Sequence, residues 1–229
     1  MTLLPRLCGD FAPKVMPAVG GDAIGPGHTG FGLGDMKDVS EDLWVFGYGS
    51  LMWRPGFRFI ERVEARLTGA HRALCVYSFV HRGTPERPGL VLGLDHGGAC
   101  RGVAYLVSAA TRASTIAYLR EREQVTAVYR ETMRHIWLSS HPARRVSALC
   151  YVVDRGHPQY AGRLSIEQQL HHVRQGHGRS GANRDYVIAT VSALEELGYR
   201  ETELHLLAKK LAGAHESHAS DKITRAWPP

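Results

Sequence analysis

An acidic side chain on the apolar side of a predicted helix is the first candidate for chemistry. Residues 111–125 (TRASTIAYLREREQV) predict this helix. At about 100° per residue, Glu123 lies about 20° from Ile116 and on the same side as Leu119, whereas Glu121 lies about 140° away. A buried carboxyl group is costly unless it has partners or a function, and burial raises its pKa. Glu123 therefore fits a general base and acid, although a solvated charge run accounts for the sequence RERE equally well.

A turn with two glycines is the second candidate. Three β-forming residues, Trp44, Val45 and Phe46, lead directly into Gly47-Tyr48-Gly49-Ser50. This pattern predicts a buried strand that ends in a sharp turn. Glycines let backbone N–H groups approach a ligand closely, and several N–H groups directed into one concavity bind anions. An ordinary strand and turn is the alternative, because a single GxG motif has low specificity.

The elements that must position these residues are short strands followed by helices. This order predicts an α+β fold, with a small mixed β-barrel or sheet and surrounding helices. An S-x-x-Q pattern at Ser165 predicts a capping box at a helix start. Residues 127–137 are of mixed character. The predicted strands are 44–46, 63–68, 72–80, 90–94, 102–107 and 146–153, with a turn at 97–98, and the predicted helices are 111–125, 165–175, 186–197 and 201–211.

The domain organisation follows from composition. Residues 1–42 are rich in glycine and proline and lack periodicity, which predicts a flexible extension. Residues 43–212 contain no linker and predict one domain. The polar residues 213–229 predict a loose tail.

Composition also limits the classes of function. The 229 residues are 44% hydrophobic and 22% charged, which is typical of a soluble globular protein. No apolar run approaches the roughly 18 residues of a membrane span, and no secretory signal is visible. Four dispersed cysteines without a CxxC pair indicate reduced thiols in a cytoplasm. Scattered histidines without an HExxH motif predict no metal site.

The net charge of +6 and the pI of about 9.3 favour an anionic partner. A small acidic substrate and a nucleic acid both satisfy this condition. The basic residues are dispersed, with no run of five, so we expect no nucleic-acid partner.

Four stretches, taken in order, resemble the ChaC-type gamma-glutamylcyclotransferases. The resemblance covers residues 43–212, and its specificity comes from the ordered set rather than from any single motif. The stretches are FGYGSL at 46–51, HRGTPERPG at 81–89, GVAYLV at 102–107 with YLRERE at 118–123, and HPQYAG at 157–162 with GRSGANRDY at 178–186.

The resemblance implies a glutathione-specific gamma-glutamylcyclotransferase fold and activity. Such an enzyme cleaves glutathione to 5-oxoproline and cysteinylglycine without a metal or organic cofactor. The α-amine of the γ-glutamyl group attacks its own γ-carbonyl group. The family's catalytic glutamate corresponds to Glu123, and its substrate-binding loop corresponds to Val45, Phe46, Gly47, Tyr48, Gly49 and Ser50.

Two further positions match family residues, and each has a structural alternative. Tyr129 is a candidate substrate-binding residue or a core tyrosine. Arg72 matches a family arginine, and a buried ion pair would explain it equally well. Arg179 stands where the family often has proline, and Ala127-Val128-Tyr129 replaces a stretch richer in glycine. These departures concern substrate preference.

Alternative functions remain open at this point. One is a cyclotransferase for other γ-glutamyl compounds, and another is a non-catalytic, glutathione-binding regulatory protein on the same fold. For all of these we expect a cytoplasmic monomer or weak dimer with no membrane partner.

Overall fold

The computed structural model describes residues 41–123 and 127–220, with side chains as far as residue 213. Within this part of the chain, five strands form a closed barrel in the order β1-β3-β2-β4-β5. β1 pairs antiparallel with β3 and parallel with β5, so the sheet is mixed, as predicted. The strands are β1 Leu43–Gly47, β2 Glu61–Ser78, β3 Gly89–Val107, β4 Tyr129–Leu138 and β5 Arg144–Val153.

The barrel core follows from the two-residue alternation of strands. Ile136 on β4 lies opposite Leu67 on β2, and Leu138 lies opposite Ala65. All four side chains are at most 1% exposed. Successive strand residues point to opposite faces, so the intervening Trp137 points outward and is 48% exposed.

β2 and β3 are longer than the sequence predicted. Residues 63–68 and 72–80 were expected to form separate strands, as were 90–94 and 102–107, and this division is wrong. Gly69, Gly97 and Gly98 have φ values of 84°, 92° and 71°, which bend the pair of strands without ending it. The bend carries the outer half of the hairpin across the barrel, where Leu94 of β3 pairs with Val152 of β5.

Four helices accompany the barrel, and Ser165 forms the predicted capping box with Gln168. α1 begins two residues earlier than predicted and ends at Glu123. The final helix continues past the predicted end at Leu211, so the predicted domain boundary at 212 falls inside it. The helices are α1 Ala109–Glu123, α2 Ile166–Gln175, α3 Asn183–Glu196 and α4 Thr202–Ser220.

Residues 1–40, and with them most of the predicted flexible extension, lie outside the described residues, as do 221–229. None of the helices in the described part of the chain is both long and apolar enough to cross a membrane.

Asn183 joins the start of α3 to β3. Its amide oxygen accepts a hydrogen bond from the Leu90 N–H group at 2.7 Å, and its amide nitrogen donates to the Leu90 carbonyl group at 2.7 Å. Asn183 is fully buried. The neighbouring segments pack so closely that a Cβ atom at Gly89 would lie 2.1 Å from the Arg82 carbonyl oxygen, and one at Gly176 would lie 2.5 Å from it. Space therefore requires glycine at positions 89 and 176. A short two-stranded sheet, β6 His177–Gly178 and β7 Gly181–Ala182, lies between α2 and α3.

We predict that Asn183→Ala lowers the free energy of unfolding by about 2–3 kcal/mol, because it leaves the buried N–H and C=O groups of Leu90 without partners. Urea denaturation measures this change. Ser180→Ala, at an exposed position in the same segment, should change the free energy by less than about 0.5 kcal/mol. Equal effects of the two substitutions would contradict the assigned role of Asn183.

Candidate active site

The chain leaves β1 at Gly47 and enters a 3-10 turn at Ser50–Met52. The Met52 N–H group donates to the Gly49 carbonyl group at 2.9 Å, and the Arg54 N–H group donates to that of Ser50 at 2.9 Å. Among the described residues, we find no acceptor for the backbone N–H groups of residues 48–51. Four successive N–H groups are thus available to a ligand with negative charge.

The two glycines of this turn differ in how tightly their surroundings pack. Neither Gly47 nor Gly49 has a positive φ. A Cβ atom at Gly47 would lie 3.0 Å from the Leu51 Cβ atom, and one at Gly49 would lie 3.5 Å from the Tyr186 hydroxyl oxygen. The contact at Gly47 would be tighter than an ordinary van der Waals contact, whereas the contact at Gly49 would be an ordinary one.

Glu123 is the last residue of α1, and its side chain is 18% exposed. Leu119 on the same helix is fully buried, and Ile116 packs against the same apolar cluster, which includes Val45 of β1. Glu121 is exposed. This arrangement agrees with the helical wheel, which placed Glu123 rather than Glu121 on the inner side.

Four tyrosines interact electrostatically with the Glu123 carboxyl group, and besides Tyr151 of β5 three of them lie in the segments of the candidate site. They come from the turn (Tyr48), from the start of β4 (Tyr129) and from α3 (Tyr186). Burial raises the pKa of Tyr186 to about 12 and the pKa of Tyr48 and Tyr129 well above the usual value. All three are therefore neutral phenols at physiological pH, able to donate or accept hydrogen bonds.

The backbone of Leu92 in β3 fixes two of these tyrosines. The Tyr129 hydroxyl group donates to the Leu92 carbonyl oxygen at 2.8 Å. The Leu92 N–H group donates to the Tyr186 hydroxyl oxygen at 3.1 Å. The bent end of the β2–β3 hairpin thus sets the positions of two rings beside Glu123.

The electrostatic environment of Glu123 favours the protonated form. Burial raises the pKa of its carboxyl group, and the adjacent Arg122 partly offsets this increase. The Arg122 Nε atom lies 3.2 Å from Glu123 Oε1. A carboxyl group whose pKa is raised toward neutrality can both accept and return a proton.

Arg122 also connects α1 to the turn. Its Nη2 atom donates to the Ser50 hydroxyl group at 2.7 Å. Its Nη1 atom donates to the carbonyl groups of Arg54 at 2.7 Å and Pro55 at 3.3 Å, and to the Tyr118 hydroxyl group at 3.0 Å. The end of α1 and the residues after β1 are therefore held together by one side chain.

Arg72 holds the turn from the barrel side. This buried residue of β2 donates from Nε to the Tyr48 carbonyl oxygen and from Nη2 to the Arg101 carbonyl oxygen at 2.6 Å. It also forms an ion pair with Glu201, just before α4. The structure therefore favours the buried ion pair, which was the structural alternative for Arg72.

The structure brings most of the predicted site residues together. Gly47–Ser50, Glu123 and Tyr129 converge, whereas the side chains of Val45 and Phe46 are fully buried in two apolar clusters. The side chains of those two residues therefore support the turn, and only the residues after them are placed to contact a ligand.

Sequence reasoning missed Tyr186 and Arg122. Tyr186 ends the GRSGANRDY motif, which was a signal that could have identified it. Arg122 was hidden within a run of alternating charges, whose pattern does not show which arginine points inward.

A surface cleft of about 300 Å³ lies beside the same turn but contains neither Glu123 nor Gly47–Ser50. The convergence of a titratable carboxyl group with backbone donors marks the candidate site more specifically than this cleft does. Among the described residues, no group of three or more His, Cys, Asp or Glu side chains is placed to bind a metal ion. The cleft is lined by Met52, Trp53, Pro55, Phe59, Arg62, Tyr105, Ala193 and Glu196.

We predict that Glu123→Gln stabilises the protein above neutral pH. The folded state raises the pKa of Glu123, so the folded protein binds a proton at this carboxyl group more tightly than the unfolded chain does. Stability is therefore lost as the pH rises from the pKa of the unfolded chain through the higher pKa of the folded protein. At pH 8 the uncharged Gln should increase the free energy of unfolding, and the difference should shrink to near zero below the usual pKa of a glutamate carboxyl group, where Glu123 is protonated in both the folded and the unfolded state. Urea denaturation at both pH values measures it.

Glu121→Gln is the matched control, because Glu121 is exposed on the same helix. It should leave the free energy of unfolding within about 0.5 kcal/mol at either pH. A loss of stability in Glu123→Gln at pH 8 would show that the carboxylate is held for structure.

Comparison with known proteins identifies the family. A family model described as ChaC-like protein matches residues 43–212. The glutathione-specific gamma-glutamylcyclotransferase of Escherichia coli is 33% identical over 163 residues, which cover 71% of this chain and 70% of that protein. The human glutathione-specific gamma-glutamylcyclotransferase 1 is 32% identical over 168 residues, which cover 72% and 76% of the two chains.

A solved structure supports the same fold. The crystal structure of a yeast gamma-glutamyl cyclotransferase specific to glutathione matches with a TM-score of 0.70 at 20% identity, and the match covers 76% of this chain and 96% of that chain. Since the family model spans the barrel and extends into α4, this chain belongs to the ChaC-like family.

Proposed function

We propose that this protein is a glutathione-specific gamma-glutamylcyclotransferase that releases 5-oxoproline and cysteinylglycine. The observation that carries the proposal is the buried Glu123 carboxyl group among neutral tyrosines, beside a turn with unpaired N–H groups. Curated relatives at 33% and 32% identity that carry this name support the same substrate.

The reaction needs a group that accepts a proton from the attacking amine and gives one to the leaving amine. The α-ammonium group of the γ-glutamyl unit first gives a proton to the Glu123 carboxylate. The free amine then attacks the γ-carbonyl carbon, forming the C–N bond of the five-membered ring. The bond from that carbon to the cysteine nitrogen breaks, and Glu123 returns the proton to the departing amine. After the attack the ring nitrogen still carries a second amine proton, which it also loses, and the released amine takes up a proton to become the ammonium group of cysteinylglycine. Two protons thus pass from the attacking nitrogen to the leaving nitrogen, and atoms and charges balance without water.

The turn supplies the electrostatic part of the mechanism. The backbone N–H groups of residues 48–51 hold substrate oxygens, either the α-carboxylate or the oxyanion that develops on the γ-carbonyl group. Holding a folded conformer contributes strongly, because a well-oriented intramolecular attack avoids most of the entropy cost. Tyr129 and Tyr186, fixed by Leu92, form the neighbouring wall of the site.

The cellular setting belongs to the same proposal. Cys75, Cys100 and Cys150 are buried free thiols, which suits a reducing cytoplasm. The expected monomer or weak dimer stays a prediction.

The deciding experiment is incubation of the purified protein with glutathione and detection of 5-oxoproline by mass spectrometry. We expect 5-oxoproline and cysteinylglycine in equal amounts. A parallel incubation with γ-glutamyl dipeptides should give much less 5-oxoproline, and a reversed preference would assign another γ-glutamyl substrate. Glutathione recovered intact would instead support a binding protein.

Glu123→Gln should lower the rate of 5-oxoproline release by a factor of about 100 or more, because the amide keeps the shape but cannot accept the proton. Glu121→Gln should retain the rate of the unchanged protein. Unchanged turnover in Glu123→Gln would exclude Glu123 as the base.

A further inference from the structure

Arg122 is the side chain that contacts both halves of the candidate site. Its Nε atom faces Glu123 Oε1 at 3.2 Å, and its Nη2 atom donates to the Ser50 hydroxyl group at 2.7 Å. Its Nη1 atom donates to the carbonyl group of Arg54 at 2.7 Å. All three nitrogens of the guanidinium group are used, and the side chain is 19% exposed.

The other groups that face Glu123 carry no charge at neutral pH. They are tyrosines from the turn, from β4, from β5 and from α3, each with a raised pKa. Within residues 41–123 and 127–220, Arg122 is the cation that pairs with Glu123. The four tyrosines are Tyr48, Tyr129, Tyr151 and Tyr186.

We propose that Arg122 is a positioning residue for the reaction. Its planar guanidinium group fixes the separation between the Glu123 carboxylate and the Gly47–Ser50 turn, and this separation selects the folded γ-glutamyl conformer that closes the ring. The inference rests on the proposed function, because it assigns a role within that same site.

Geometry explains why arginine is needed here. The guanidinium group presents N–H donors in a rigid plane, so it can face a carboxylate on one edge and a hydroxyl and carbonyl groups on the others. A lysine ammonium group is a point charge on a flexible chain and cannot fix three directions at once. Displacing a reacting group by about 1 Å can cost about 100-fold in rate.

The charge of Arg122 has a second effect. Burial alone would favour a protonated Glu123, and the guanidinium group counteracts this by stabilising the carboxylate. Removing the positive charge raises the pKa of Glu123, so a larger fraction of the base is protonated and inactive at a given pH. The acid limb of the pH–rate profile therefore moves to higher pH.

The experiment measures 5-oxoproline release from glutathione across pH for two Arg122 variants. Arg122→Met should lower kcat by about 10- to 100-fold and move the acid limb to higher pH. Arg122→Lys should lower kcat by about 10-fold while the acid limb stays near that of the unchanged protein, because the charge is kept and the planar geometry is lost. Thermal unfolding shows whether each variant is folded.

Arg120→Met is the matched control. Arg120 lies on the same helix, its side chain is 56% exposed, and it pairs with Glu131 at 2.8 Å and 2.9 Å. The substitution removes the same net charge, and it should leave kcat and the acid limb unchanged.

The outcomes separate the two proposals. If the unchanged protein releases 5-oxoproline and Glu123→Gln does not, the proposed function stands, and a folded Arg122→Met variant with normal kcat and acid limb overturns the role of Arg122 alone. If Arg122→Met does not fold, a normal kcat in Arg122→Lys overturns that role, and a reduced kcat with the acid limb retained supports it. An unchanged protein that leaves glutathione intact overturns both.

Discussion

Two guanidinium groups hold the turn that follows β1, and the candidate site depends on them. Arg72 reaches the Tyr48 carbonyl group from inside the barrel wall, and Arg122 reaches Ser50 and the next residues from the end of α1. Short turns of this kind leave several backbone N–H groups without partners. Because both arginines bind oxygen atoms of the turn, they fix its shape and leave those N–H groups open to a ligand.

The second constraint is the attachment of α3 to β3. Asn183 binds both backbone groups of Leu90, and the Leu92 N–H group binds the Tyr186 hydroxyl group. Leu90 and Leu92 lie two residues apart on the strand, and their partners Asn183 and Tyr186 lie about one turn apart on the helix, so the two spacings match. The motifs 81–89 and 178–186 thus bring Tyr186 to Glu123, which gives them a physical function although neither contains the proposed base.

Some of this arrangement could be predicted from local patterns. Helical periodicity placed Glu123 inward and Glu121 outward, and the pattern S-x-x-Q located the start of α2. These predictions succeeded because each depends on residues within one or two turns of a helix. The ordered motifs also identified the family, and the alternation of short apolar runs indicated a barrel.

Other features depend on contacts between distant residues and could not be found in this way. Gly97 and Gly98 in the sequence look like the end of a strand, but both lie within β3, and the pairing of β3 with β2 continues on either side of them. The tight packing of Gly47 against Leu51 is another such contact, and the pattern of residues 44–50 does not indicate it. The partners of Arg122 at Ser50 and Arg54 lie about 70 residues earlier in the chain, and no spacing rule reaches that far.

The parallel pairing of β1 with β5 has a consequence for how this protein acquires activity. Trp44 pairs with Ala148, so the barrel closes only after more than 100 residues have emerged and folded around it. Closure over such a sequence distance carries a large loop entropy and belongs among the slow steps of folding. Since the turn lies at the end of β1 and Tyr186 is supplied by α3, the candidate site is complete only when segments far apart in the sequence have come together.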